Sequence, residues 1–125
     1  KDVAVCTIED LTKSKGAVKL DTEIFKEIKN CLLFIADISI IADKDIEGQS
    51  KWISNSNVML ELGYALAVKS QENIFITYNE DRFKDAGLKN LIPFDIQSYQ
   101  NKKYKNDNYD GLIKMINSRL TKLGL

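Results

Sequence analysis

Histidine is absent from the chain. Its absence removes the commonest general base near neutral pH and the commonest metal ligand. Acid–base or nucleophilic work is left to carboxylates, tyrosine, serine, cysteine or lysine. Cysteine is nearly as scarce: Cys6 and Cys31 stand alone, with no C-x-x-C spacing. Two thiolates without an imidazole cannot complete a structural zinc tetrahedron, so no metal site is expected. Both cysteines lie in apolar segments and read as core residues of a reducing compartment. Arg82 and Arg119 are the only arginines, which makes bidentate phosphate clamps few. No apolar run approaches the roughly 20 residues of a membrane span, and no signal-peptide pattern occurs. Lysine plus arginine and aspartate plus glutamate both total 18, giving zero net charge. No nucleic-acid or anionic-membrane footprint is visible at whole-chain level. The expectation is a cytoplasmic protein that binds neither nucleic acid nor membrane.

What is present is ordinary globular composition, 44% hydrophobic and 29% charged over 125 residues, the size of one domain with one core. Asp2–Thr7 (DVAVCT) alternates like a strand. Ile8 to Leu20 reads as a loop, and Asp21 or Thr22 can cap a helix whose apolar positions are Ile24, Phe25, Ile28 and Cys31. Leu32 to Ile41 (LLFIADISII) is a nearly continuous apolar run that suits a central parallel strand. Ala42 to Asn57 reads as a polar loop, Val58 to Val68 as a helix and Asn73 to Tyr78 as a strand. Leu91 to Tyr99 reads as an edge strand that tolerates Pro93. NKKYKNDN reads as a solvated loop. Tyr109, Leu112, Ile113, Ile116, Leu120 and Leu123 mark an amphipathic terminal helix. Alternation of strands and helices predicts an α/β domain with a parallel, flavodoxin-like sheet flanked by helices. Ligands of such sheets bind beyond the carboxyl ends of the strands.

Two carboxylates draw attention. Glu61 sits one turn into a helix that is apolar nearly all round, and such a helix is expected to be buried. The helix dipole favours an anion there, but no capping box explains it, because Val58 stands three residues before it. From the pattern, Glu61 either occupies one exposed stripe of the helix or does chemistry. Gly63, in mid-helix at a cost of about 1 kcal/mol against alanine, suggests close packing or close approach of a ligand. Asp37 ends the strand FIAD, where a carboxylate can accept ribose hydroxyls or order a loop. Ser39 follows it. Ser54, Asn55, Ser56 and Asn57 can cap the next helix or leave amides free for an anion. Trp52 can stack on a base or pack over the sheet edge. Asp10, Thr12 and Ser14 follow the first strand, and Tyr78 and Asn79 the third, toward the same edge.

FIADIS, a polar loop, and then NSNVMLELGYALAVKSQENIFITYN resemble the signature of bacterial TIR-like domains and of their nucleoside 2-deoxyribosyltransferase relatives. In both, a strand ending in Asp precedes an N-x-N-V-x-x-E-L-G-Y-A helix. The likeness runs from about Asp10 to Asp95 and includes IPFD. It implies chemistry at an N-glycosidic bond. The glutamate matching Glu61 is the nucleophile in deoxyribosyltransferases, and in catalytic TIR domains it cleaves nicotinamide from NAD, often in antiphage defence. The ribose-binding role would fall on Asp37, with Ser39, Trp52, Asn55, Asn57, Asp10 and Thr12 around the substrate. NAD would be substrate rather than resident cofactor. The alternatives are a non-catalytic nucleotide-binding or self-assembling module, and a deoxyribosyltransferase. Homo-oligomers or accompanying sensor or effector domains are also implied. Relatives begin with one further strand and helix, so the chain is expected to lack that first βα unit or to reassign its first strand.

Overall fold

A computed structural model describes residues 20–83 and 99–125. Helix α1 (Leu20–Asn30) presents Ile24, Phe25 and Ile28 to the core at helical spacing. The chain then turns into β1 (Phe34–Asp37). The apolar run continuing to Ile41 is not one strand. It breaks at Ile38 and Ser39, and the chain re-enters extended structure as β2 (Ile40–Ile46), which pairs antiparallel with β3 (Gln49–Ser54) in a separate two-stranded sheet.

The polar loop expected over Ala42–Asn57 is therefore largely this hairpin. Its turn is Glu47-Gly48, at φ 54° and 77°. Positive φ at both central residues matches the twist of the flanking strands. Glutamate in the first position hides the turn from a search for Asn-Gly or Asp-Gly. A register shift between Ile40 and Ala42 inserts Ile41 as a bulge and leaves it exposed.

Helix α2 (Ser56–Val68) and a 3-10 turn (Gln71–Asn73) lead into β4 (Ile74–Asn79), followed by a second 3-10 turn (Glu80–Phe83). Strand β5 (Asn101–Tyr104) precedes the terminal helix α3 (Tyr109–Lys122). The main sheet has the order β1-β4-β5, and both pairings are parallel. The described residues are thus α/β, with a three-stranded parallel sheet flanked by helices. Central β4 (IFITYN) is buried along its whole length, as its β-branched and aromatic content suits.

Strand β5 corrects the reading of NKKYKNDN as a solvated loop. It carries no aliphatic residue and is held by ladder bonds to β4 and by the Thr77 hydroxyl, which donates to the Lys102 carbonyl at 2.7 Å. Of the edge strand expected at Leu91–Tyr99, Tyr99 lies outside any strand and the rest falls outside the described residues. The strand expected at Asp2–Thr7 also lies outside them.

Residues alternate between the sheet's two faces. Ala36, Ile38, Ile74, Ile76 and Tyr78 form the core with Ile28 of α1 and with Leu62 and Ala65 of α2. Phe75 and Thr77 point the other way. On that side Arg119 of α3 lies over the Phe75 ring, 5.7 Å from its centroid. In α3 the half-buried stripe is Leu112, Met115, Ile116, Arg119, Leu120 and Leu123. Tyr109 and Ile113, expected on it, are exposed. Among the described residues, no helix is long and apolar enough to cross a membrane.

Candidate functional site

Glu61 is where the helix departs furthest from expectation. Helix α2 is not buried all round: Leu60 is 65% exposed, and Gly63, Ala67 and Val68 are exposed with it. The solvent-facing stripe is thus apolar and small. Glu61, 8% exposed, lies on the inward side with Leu62 and Ala65. Glu61 is therefore not part of the exposed stripe. No hydrogen bond or ion pair reaches the Glu61 carboxylate among the described residues, and burial pushes its pKa above the ordinary carboxyl range. Gly63 has no close neighbour, since a Cβ built there would meet nothing within 4 Å, so tight packing inside the described residues does not explain it.

A second group of polar side chains gathers at the carboxyl ends of the parallel strands. The register sets Asp37 beside Thr77 and Asn79 beside Tyr104. One Asp37 oxygen, Oδ1, accepts from both the amide and the hydroxyl of Ser39, and Oδ2 accepts from the Tyr104 hydroxyl. Buried Ser39 accepts in turn from the Asn79 amide at 2.7 Å, which stitches the end of β1 to the end of β4. The Asn79 side chain donates to Asn106 and accepts from the Asp81 amide, and the Asp81 carboxylate accepts from the Asn106 amide. Burial, followed by the hydrogen bond to Asp37, raises the Tyr104 phenol above its usual range.

Strand alternation assigns Asp37 to the face bearing Ile35 and Phe75, whereas α2 packs on the face bearing Ala36 and Ile38. Glu61 and the Asp37 network are not joined by any hydrogen bond among the described residues.

The start of α2 is tied to this edge. The Ser54 hydroxyl donates to the Ile38 carbonyl at 2.8 Å, so α2 begins beside the carboxyl end of β1. Asn55 is the N-cap, its side-chain oxygen accepting from the amides of Asn57 and Val58. That oxygen and those amides are thereby occupied, and Asn57 is exposed beside them. Trp52 lies in β3 opposite Asp43 rather than in a loop, and its side chain is outside the described set. Asp10 and Thr12 lie outside the described residues.

The structure therefore brings Asp37 and Ser39 together, assigns Asn55 to the cap and isolates Glu61. Sequence reasoning missed Tyr104, Asn106 and Asp81, and gave Asn79 little weight. Periodicity carries no signal for Tyr104: its strand has no aliphatic residue, and only pairing with β4 brings it to Asp37. No metal-binding group of three or more Cys, Asp and Glu residues occurs among the described residues. No family model, curated protein or solved structure matches the chain.

Proposed function

We propose that the domain acts on a nucleotide and cleaves the N-glycosidic bond of NAD or a related compound, with Glu61 as the catalytic carboxylate. The observation that carries this reading is Glu61 itself, a residue 8% exposed on the inward side of α2 whose carboxylate has no protein hydrogen bond among the described residues to offset its partial desolvation. Such a group is stabilised by an incoming positive charge. The pyridinium ring of NAD supplies one in the ground state, and the oxocarbenium-like sugar supplies one in the transition state. As the bond from the anomeric carbon to nicotinamide breaks, its electron pair returns to the ring nitrogen. Glu61 stabilises or traps the sugar cation, and water completes hydrolysis to ADP-ribose and a proton. The N-x-N-V-x-x-E-L-G-Y-A motif supports the TIR-like form of this reading and, through it, a role in antiphage defence.

Asp37 would meet the ribose only around the carboxyl end of β1, because its side chain is on the sheet face opposite α2. Tyr104 and Ser39 already orient that carboxylate, so ribose hydroxyls would compete with them for its oxygens. Because burial raises the pKa of Glu61, the acid limb of kcat/KM should lie above the ordinary carboxyl range. The limb of kcat should lie lower, because bound cationic substrate favours the carboxylate.

The test is incubation with NAD, and separately with deoxynucleosides, followed by chromatography of released nicotinamide or base. The expected result is nicotinamide release by the parent and a loss of about 100-fold or more in Glu61→Gln, the scale on which an essential catalytic group acts. Transfer of the sugar to an added free base would make the protein a deoxyribosyltransferase. If no substrate is consumed at high protein concentration, the domain is a nucleotide-binding module at most. Full activity in Glu61→Gln would remove that residue from the mechanism.

A further inference from the structure

At the opposite end of the sheet, away from Asp37 and Tyr104, lies a cavity of about 250 Å³. It opens at the amino ends of β4 and β5. Leu66 and Tyr99 give it apolar sides, the buried core residues Ile74 and Ile76 lie at its floor, and Arg119 reaches it from the last turn of α3.

We propose that this cavity binds a small organic carboxylate with a flat apolar body, the carboxylate pairing with Arg119. The arginine is held in place before any ligand arrives. Its Nη1 donates to the carbonyls of Glu72 and Ile74, at 3.2 and 2.9 Å, and its guanidinium lies over the Phe75 ring. A guanidinium has five N–H donors. Those on Nε and Nη2 have no hydrogen-bond partner among the described residues. A fork fixed in orientation with donors to spare suits a planar carboxylate, because little side-chain freedom is lost on pairing.

The electrostatics agree with that choice. The cavity is also lined by Glu72, but Arg119 meets the backbone carbonyl of that residue and makes no ion pair with its exposed carboxylate. The half-buried charge is thus the positive one. Exposed Gln71 and Gln100 add neutral amide donors at the rim. The volume lies below the roughly 300 Å³ at which sites for drug-sized ligands begin, which points to an occupant of about one ring plus a carboxylate.

Benzoate is the probe, and benzamide is its neutral match. Titration of the ¹⁵N-labelled chain should move the backbone amides of Leu66, Gln71, Tyr99 and Gln100 saturably at millimolar benzoate, with benzamide at least about tenfold weaker. Replacing Arg119 also removes its two carbonyl contacts and can loosen the fold. The decisive variant is therefore Gln71→Glu, which puts a like charge at the rim and leaves Arg119's bonds intact. It should weaken benzoate about fivefold or more and leave benzamide unchanged. Glu61→Gln should leave benzoate binding as it is, so the outcome is separate from the fate of the glycosidase reading. Absence of saturable shifts, equal affinity for the two probes, or no effect of Gln71→Glu would each overturn the proposal.

Discussion

Glu61 and Asp37 are the two carboxylates that the sequence singles out, yet their surroundings differ completely. Asp37 is exposed and carries three hydrogen bonds, whereas Glu61 is buried and has none among the described residues. Burial raises the folded pKa of Glu61 above its unfolded value. The protonated form therefore folds without penalty below the ordinary carboxyl pKa, and that stability is lost as pH rises through the raised folded value. Glu61→Gln removes the loss. Thermal denaturation should find the variant more stable than the parent near neutral pH, with the gap closing toward about pH 4, near the ordinary carboxyl value. A gap that does not change with pH would show that charge on Glu61 costs the fold nothing. Greater stability paired with lost activity is the signature of a residue kept for function.

Among the elements, α2 depends on its cap and the hairpin on its turn. Asn55 satisfies two amides that the helix itself cannot. Asn55→Ala should cost about 1 kcal/mol, the usual worth of an Asn cap, measurable by urea denaturation. Ser56→Ala, at an exposed position beside it, should cost much less. This cap was legible because Ser54 to Asn57 offers only capping residue types before an apolar run. The hairpin was not: Asp43, Lys44 and Asp45 give β2 no apolar alternation, and Glu47 is an unusual occupant of a positive-φ turn. Strand β5 was illegible for a similar reason. Its stabilisation comes from backbone bonds, Thr77 and the Tyr104–Asp37 hydrogen bond, which leave no mark on hydrophobic period. Lys103 within it and Lys105 just after it pair only at the surface, with Glu80 at 3.3 and 3.8 Å. Such exposed pairs contribute little.

In the molecule as a whole, Leu62 joins the layers. It is fully buried in the cluster that unites α1, α2, β1 and β4. Leu62→Ala should destabilise the domain by about 2–5 kcal/mol, the range for emptying a packed leucine site. Leu60→Ala, two residues earlier on the same helix and 65% exposed, should stay within about 0.5 kcal/mol. Equal effects of the two substitutions in urea denaturation would contradict the placement of the core. The chain also separates two ends of one sheet, with the Asp37–Tyr104 network at the carboxyl ends and the Arg119 cavity at the amino ends. The strands between them are only four to six residues long.

The sequence by itself determined the α/β class, a parallel sheet containing FIAD and IFITYN, the terminal helix and the prominence of Glu61 and Asp37. Hydrophobic period and strand–helix alternation are local properties, and they survive in one dimension. Which side of α2 Glu61 occupies was decided only in three dimensions, because a helix apolar nearly all round has no period to orient it. The core took Leu62 and Ala65, left Leu60 and Gly63 to solvent, and drew Glu61 inward with its neighbours. The partners of Asp37 were likewise decided by register. Tyr104 lies 67 residues away along the chain, and only the pairing of β5 with β4 brings its hydroxyl within reach.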